Sequence, residues 1–456
     1  MAAVLALACV FRFQAVTAPL TEPGTPTRDA EAFVDEVLAH ESRYGELLKT
    51  RGAPRVDAIG FDSAEHLRRS VQLRIARLEK PSSLLLYSLE QQPAEVFVTT
   101  ADGPIQRFVL HGAADIGELA ERHRHALKVP YLQAARAPQR REPVDHRLPV
   151  DEQRGGRCNG QTALEQTEPT ASEAEIGLRL RQALLPDAVL AAVANSEQLL
   201  LLASGSLASI PLAALPLERG GEWLGEQFQL ILLPSLPDFL QRQRVVTRHP
   251  PCSPLVVGDP IYPQNDKHWR LPQLPGAYRE AIAVAKRLGV KPLLGAEATT
   301  EKVMGAMPKA ELVWLATHGM ADTAHPMSQS WLALTATETE GWQWNASSIQ
   351  QKTSKADVVV LSACQTGLGM AHAAGVIGLA RAFERAGSGT VVMSLWNVSD
   401  EATSVQMLHL LDSLLAKTDV PQALQAAQQK TRKLYPDPAL WASFAVLGLP
   451  RDATAP

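Results

Sequence analysis

Two residues of this 456-residue chain are spaced as cysteine chemistry would require. His318 closes the run LVWLATHG (Leu312 to Gly319), and Cys364 closes VVVLSAC (Val358 to Cys364). Each follows aliphatic and β-branched residues without polar alternation, the pattern of a short strand buried on both faces. A thiol is a poor nucleophile until it loses its proton. A neighbouring imidazole can favour the thiolate and later protonate a leaving amine, and His318 and Cys364 fit those two roles. The plainer alternative is a core cysteine with an incidental histidine; two reactive residues at the ends of two buried strands weigh against it. Backbone N–H groups of Gly319 and Cys364 are candidate donors to an oxyanion, and a glycine after the histidine lets substrate approach the main chain closely.

Such residues need a scaffold, and the pattern beyond Cys252 supplies one. PLVVGDP, AYREAIAVAKRLG, PLLG, TTEKVMGAM, ELVWLATHG, ADVVVLSAC, GVIGLARAFERAG and GTVVMSLW alternate short buried strands with helices, and two helices follow around Glu401 to Leu415 and Pro421 to Tyr435. That alternation predicts a mostly parallel sheet covered on both faces, with reactive groups gathered outside the carboxyl ends of its strands. Upstream, residues 1–82 read as an N-terminal helical region. Residues 83–250 read as a smaller α+β region: a small antiparallel sheet with a hairpin at Asp102-Gly103, a helix from about Ile116 to Val129, and a Pro-, Gly- and Arg-rich linker over 134–171. Residues 251–450 form the third unit.

Composition narrows the function classes. A formal net charge of −4 offers no broad basic field, so neither nucleic acid nor membrane is expected as a partner. Cys9, Cys158, Cys252 and Cys364 show no metal-ligand spacing and no disulfide framework, which points to a reducing cytoplasm with no metal or cofactor. The apolar start MAAVLALACVF lacks a basic residue ahead of it and is broken by Arg12, so it reads as a helix or frayed end and not as a signal peptide. No complete phosphate-binding glycine motif and no G-x-S-x-G elbow occurs, so a serine hydrolase is not signalled and a nucleotide-binding α/β module, which would show as stabilisation by nucleotides, stays a second alternative with little support.

THG, ADVVVLSACQTGLG, GLARAFERAGSGTVVMSLWNVSDEAT and PDPALWASFAVLG together resemble the CHAT family, bacterial relatives of caspases and separases. SLLLYSL, VFVTTADG and LLLLASGSLASIPLAALP extend the resemblance, so that it runs from about Ser83 to Gly448. His318 stands 46 residues before Cys364, close to the spacing of about 50 in caspases. The resemblance implies a caspase-like αβα sandwich and a cytoplasmic cysteine endopeptidase with a His318–Cys364 dyad. It also implies a protein or peptide substrate, and a regulatory protein partner docked through the N-terminal helices, in bacterial defence or programmed cell death. Asp400, with Glu401 beside it and Trp396 just before, matches the pocket that reads the residue before the cut, where a carboxylate favours Arg or Lys. Ser399-Asp400-Glu401 reads equally well as a helix cap with an acidic first turn. Arg140, Arg141, Arg154 and Arg157 in the linker are candidate self-cleavage sites, against the plainer reading of a solvated loop. The alternative function is a catalytically silent CHAT-like scaffold that binds a peptide or protein without cutting it.

Overall fold

The computed structural model describes residues 29–39, 64–89, 93–111, 116–136, 171–202, 207, 210–244, 253–264, 266, 268–269, 271–322, 324–364, 366–367, 369–372, 375–396 and 398–453. The first half contributes strands β1 (Ser82–Ser88), β2 (Glu95–Thr99), β3 (Gln106–Val109), β4 (Gln198–Leu202) and β5 (Gln229–Leu232). The second half contributes β6 (Pro254–Pro260), β7 (Leu293–Gly295), β8 (Leu312–Ala316), β9 (Gly319–Met320), β10 (Trp331–Ala333), β11 (Gln343–Asn345), β12 (Val358–Ser362), β13 (Gly369–His372), β14 (Gly375–Gly378), β15 (Thr390–Ser394) and β16 (Phe444–Gly448).

Eleven of these form one sheet in the order β3, β2, β1, β4, β5, β16, β15, β12, β8, β6, β7. Pairing is parallel from β1 through β4 and β5 to β16, and again from β15 through β12, β8 and β6 to β7. The two parallel blocks meet at the antiparallel pair β15 and β16. β1 to β3 are antiparallel, with Gly103 at φ +89° in their hairpin, yet they are the edge of the large sheet and not a sheet of their own. The reason lies in β1: all seven residues of SSLLLYS are buried, so both faces need cover and both edges need partners.

Side chains alternate between the two faces and define two helix layers. One core runs beneath the whole sheet. Leu85, Leu199, Leu361 and Val391 face it, covered by helices that carry Leu119, Leu180, Val303 and Phe383. On the opposite face, Val256, Trp314 and Val360 meet helices Pro275–Leu288, Asp400–Leu415 and Val420–Leu434. Farther along that face, Leu84, Leu86 and Leu200 meet Phe33 and Val37 of helix 29–39 and Leu67 and Val71 of helix Ala64–Ala76. The N-terminal helices are therefore packed into the body. The mostly parallel αβα sandwich expected from the sequence is the architecture of the chain.

Two local expectations change. The helix begun at Ile116 continues to Arg136. GVIG, read as the start of a helix, is instead β14 paired with β13, and helix begins only at Leu379. Two glycines flank its β-branched pair Val376-Ile377, which suits a pleated strand better than a helical turn. The proposed self-cleavage arginines and Cys9, Cys158 and Cys252 lie outside the described residues.

Candidate active site

β8 and β12 are neighbours in the parallel ladder, and the last register pair is Ala316 with Ser362. His318 and Cys364 each stand two residues beyond that pair, at the carboxyl ends of adjacent strands. Their main chains then touch: a Cβ added to Gly319 would lie 2.8 Å from the Cys364 carbonyl oxygen and 3.2 Å from Thr366 Cγ2. Glycine here lets the Cys364 main chain come close. On its other side the Cys364 turn is bound to the end of β15. Ser394 N–H donates to Thr366 Oγ1 at 2.9 Å, Gly367 N–H donates to the Ser394 carbonyl at 2.7 Å, and Ser394 Oγ donates to the Ala363 carbonyl.

The imidazole is oriented by the loop before helix Pro275–Leu288. His318 Nε2 lies 2.8 Å from the Pro272 carbonyl oxygen. A carbonyl can only accept, so Nε2 carries the proton and the neutral ring keeps Nδ1 as its acceptor. The Tyr262 ring stands edge-on against His318 with centroids 4.8 Å apart. Tyr262 is fixed in turn: Thr317 Oγ1 donates to the Ala333 carbonyl at 2.7 Å, so the Tyr262 hydroxyl donates to Thr317 Oγ1 at 3.2 Å. Burial pushes the His318 pKa below the usual imidazole value, opposed by the Pro272 carbonyl and the Asp400 charge. Burial also pushes the Cys364 thiol upward, and the Asp400 charge adds to that, while the Val398 backbone N–H works against both. Burial thus acts on the Cys364 thiol and on the His318 imidazole alike in the direction of the neutral form.

Asp400 is half-buried, and its two oxygens accept from the backbone N–H groups of Gly276 (2.5 Å) and Ala277 (2.9 Å), the first turn of helix Pro275–Leu288. The cap of its own helix is Ser399, whose Oγ accepts from Ala402 N–H at 3.5 Å. A Cβ on Gly276 would lie 2.4 Å from the Asp400 carboxylate, so only glycine admits this contact. Burial raises the Asp400 pKa against the pull of those two amides, Arg279 and His318. Asp400 thus shares the electrostatic neighbourhood of His318 and Cys364. Glu401 does not: it is exposed and accepts from the Tyr435 hydroxyl at 3.5 Å. Trp396 is fully buried, with its indole N–H on the Ala439 carbonyl at 3.0 Å, and packs in the core.

Below the ends of β8 and β12 lies Glu280, to which the sequence alone assigns no role. It is 1% exposed and accepts from Trp314 Nε1 at 2.7 Å and from Ser362 Oγ at 3.0 Å. Burial pushes its pKa up to about 8, helped by the Asp400 charge and opposed by the two donors. A signal existed: in AYREAIAVAKRLG, Glu280 falls on the same face as Ala277, Ala281 and Val284, where a solvated charge has no place. Pro272 and Tyr262 sit in a loop whose contact with His318 leaves no local pattern.

The chain is 29% identical over 301 residues to tetratricopeptide repeat protein 28 of Mus musculus and 30% identical over 301 residues to that of Homo sapiens. Each match covers 56% of this chain and 12% of the relative, so the chain spans about one eighth of those proteins. Among solved structures it is similar to the Saccharomyces cerevisiae separase–securin complex (TM-score 0.47, 12% identity, 85% of this chain and 31% of that one). It is also similar to the Arg-specific cysteine proteinase gingipain R (TM-score 0.40, 12% identity, 63% of this chain and 69% of that one). No helix among the described residues is long and apolar enough to cross a membrane. The CHAT domain model matches residues 174–449, more than half of the sequence and every strand from β4 to β16, and the chain belongs to the CHAT domain family.

Proposed function

We propose that the chain is a cysteine endopeptidase in which Cys364 attacks a peptide carbonyl and His318 moves the proton. The observation that carries this reading is the placement of both residues at matched positions past adjacent parallel strands, with Gly319 against the Cys364 main chain. Membership of the CHAT family supports the same reading. As Cys364 Sγ bonds to the carbonyl carbon, its proton passes to His318 Nδ1, and the imidazolium is steadied by the Pro272 carbonyl at Nε2. The carbonyl oxygen gains the charge, for which Gly319 and Cys364 N–H groups are the proposed donors. Collapse breaks the C–N bond, the departing amine takes the proton from His318, and water, deprotonated by the same imidazole, hydrolyses the thioester and returns the thiol.

Asp400 is the proposed reader of the residue before the cut. Each of its oxygens holds one backbone N–H and keeps a further lone pair, enough for two parallel bonds from a guanidinium. The test is intact mass spectrometry with peptide acyloxymethyl ketones carrying Arg or Leu before the reactive group. Labelling at Cys364 that favours Arg, disappears in His318→Ala and loses its Arg preference in Asp400→Asn is the expected result. No adduct, while iodoacetamide still labels Cys364 in the folded protein, would overturn catalysis in favour of a silent peptide-binding scaffold. Labelling that begins only when a second protein is added would identify the regulatory partner expected from the sequence.

A further inference from the structure

Helix Pro275–Leu288 meets the site at two levels. Its first-turn amides hold Asp400, and one turn later Glu280 reaches from it into the sheet. The two oxygens of the Glu280 carboxyl are divided between two strands: Oε1 accepts from Trp314 of β8, and Oε2 accepts from Ser362, the last residue of β12. Trp314 precedes His318 by four residues, and Ser362 precedes Cys364 by two. The register ladder between β8 and β12 ends at Ala316 and Ser362, so Glu280 grips the pair of strands where the ladder stops. Around it the helix buries Ala277, Ala281, Val284 and Ala285, and a carboxyl among such residues is unfavourable unless it is hydrogen-bonded. Bridging the two donors is what distinguishes it from the alanines beside it.

We propose that Glu280 is a positioning residue: by tying Trp314 to Ser362 through one carboxyl, it holds the ends of β8 and β12 so that His318 and Cys364 meet in a single register. The inference rests on the dyad reading above for its functional consequence, and on the two hydrogen bonds for its structural one.

Hydrogen exchange measured by mass spectrometry on the full chain tests the structural part, comparing wild type with Glu280→Gln and Glu280→Ala. Gln keeps an acceptor for the indole and a partner for the Ser362 hydroxyl, so exchange at residues 316–319 and 362–364 stays at the wild-type rate. Ala strips both donors of their partner, and exchange in those two segments rises on the order of tenfold while β1 and β4 do not change. In the same variant, the ratio of Cys364 alkylation rates with and without His318→Ala moves toward one, and Glu280→Gln restores it. An unchanged pattern in Glu280→Ala, or an equal rise across the whole sheet, overturns the proposal. If Glu280→Ala does not fold, Trp314→Phe and Ser362→Ala each cut one arm, and faster exchange must then be confined to the strand end whose donor was removed. Should His318→Ala leave Cys364 reactivity unchanged in the wild-type background, the dyad reading fails, and the exchange pattern still decides what Glu280 does.

Discussion

Replacing Glu280 by Gln should alter how stability responds to pH, and the sign follows from burial. The Glu280 carboxyl is raised from 4.5 to about 8, because the charged form would sit in an apolar layer facing Asp400, with Trp314 and Ser362 as its donors. Between those values the folded protein keeps a proton that the unfolded chain gives up. Raising the pH through that window therefore favours unfolding; the stabilisation is complete below pH 4.5 and lost by pH 8. At about 1.4 kcal/mol per pH unit the full effect is about 5 kcal/mol, of which about 3 to 4 kcal/mol falls between pH 5 and pH 8. Glu280→Gln carries no proton to lose and keeps the neutral shape. Urea unfolding followed by tryptophan fluorescence at pH 5 and pH 8 reads the difference, and Trp314 stands in contact with the altered group. His123, whose burial lowers its pKa to about 4, makes both proteins less stable in acid and cancels in the comparison. The expected outcome is a wild type that loses several kcal/mol relative to Glu280→Gln as pH rises. Parallel profiles would show that the carboxylate is already ionised in the folded protein, and would refute the burial reasoning.

Gly319→Ala sets a methyl group 2.8 Å from the Cys364 carbonyl oxygen, a main-chain atom that cannot swing aside. Cys364 alkylation should slow more than tenfold for a stability loss of only about 1 to 3 kcal/mol, seen by comparing labelling rates with thermal melts. Arg244 is buried between Asp357 (3.0 and 3.1 Å) and Asp419 (2.8 Å), far in sequence from both. Arg244→Met strands the buried Asp419 carboxylate and should cost about 3 to 5 kcal/mol in a urea melt, with partial recovery in the Arg244→Met, Asp419→Asn double variant.

How much of this was legible in the sequence depends on which contacts are local. β8 and β12 announce themselves because strands buried on both faces are spelled as unbroken apolar runs, so LVWLA and VVVLS, and the residues just past them, could be placed at a sheet end. The antiparallel hairpin at Gly103 was equally plain, but its merger into the large sheet was not, since edge pairing between β1 and β4 joins residues 82–86 to 198–202 across a long connection. Asp400 shows the limit most clearly. Its neighbours read as a helix start, and they are one, through Ser399; the Asp400 carboxylate serves a different helix, 123 residues away at Ala277. No periodicity records that.

The protonation state of the proposed dyad belongs to the same class of information. Reactive types and spacing make His318 and Cys364 the candidates, yet whether they rest as charged or as neutral groups is set by what surrounds them. Burial acts on both in the direction of neutrality, and the Asp400 charge divides its effect, favouring the imidazolium while disfavouring the thiolate. A guanidinium bound at Asp400 would neutralise that charge at the moment substrate arrives, removing its penalty on the thiolate while burial continues to strengthen the remaining hydrogen bonds. On this reading Asp400 does two things with one carboxylate: it selects a basic side chain, and until that side chain is present it adds to the larger push that burial gives Cys364 toward the thiol form. Asp400→Asn should then lower the pH at which Cys364 alkylates in the absence of any peptide, and an unmoved inflection would confine Asp400 to selection alone.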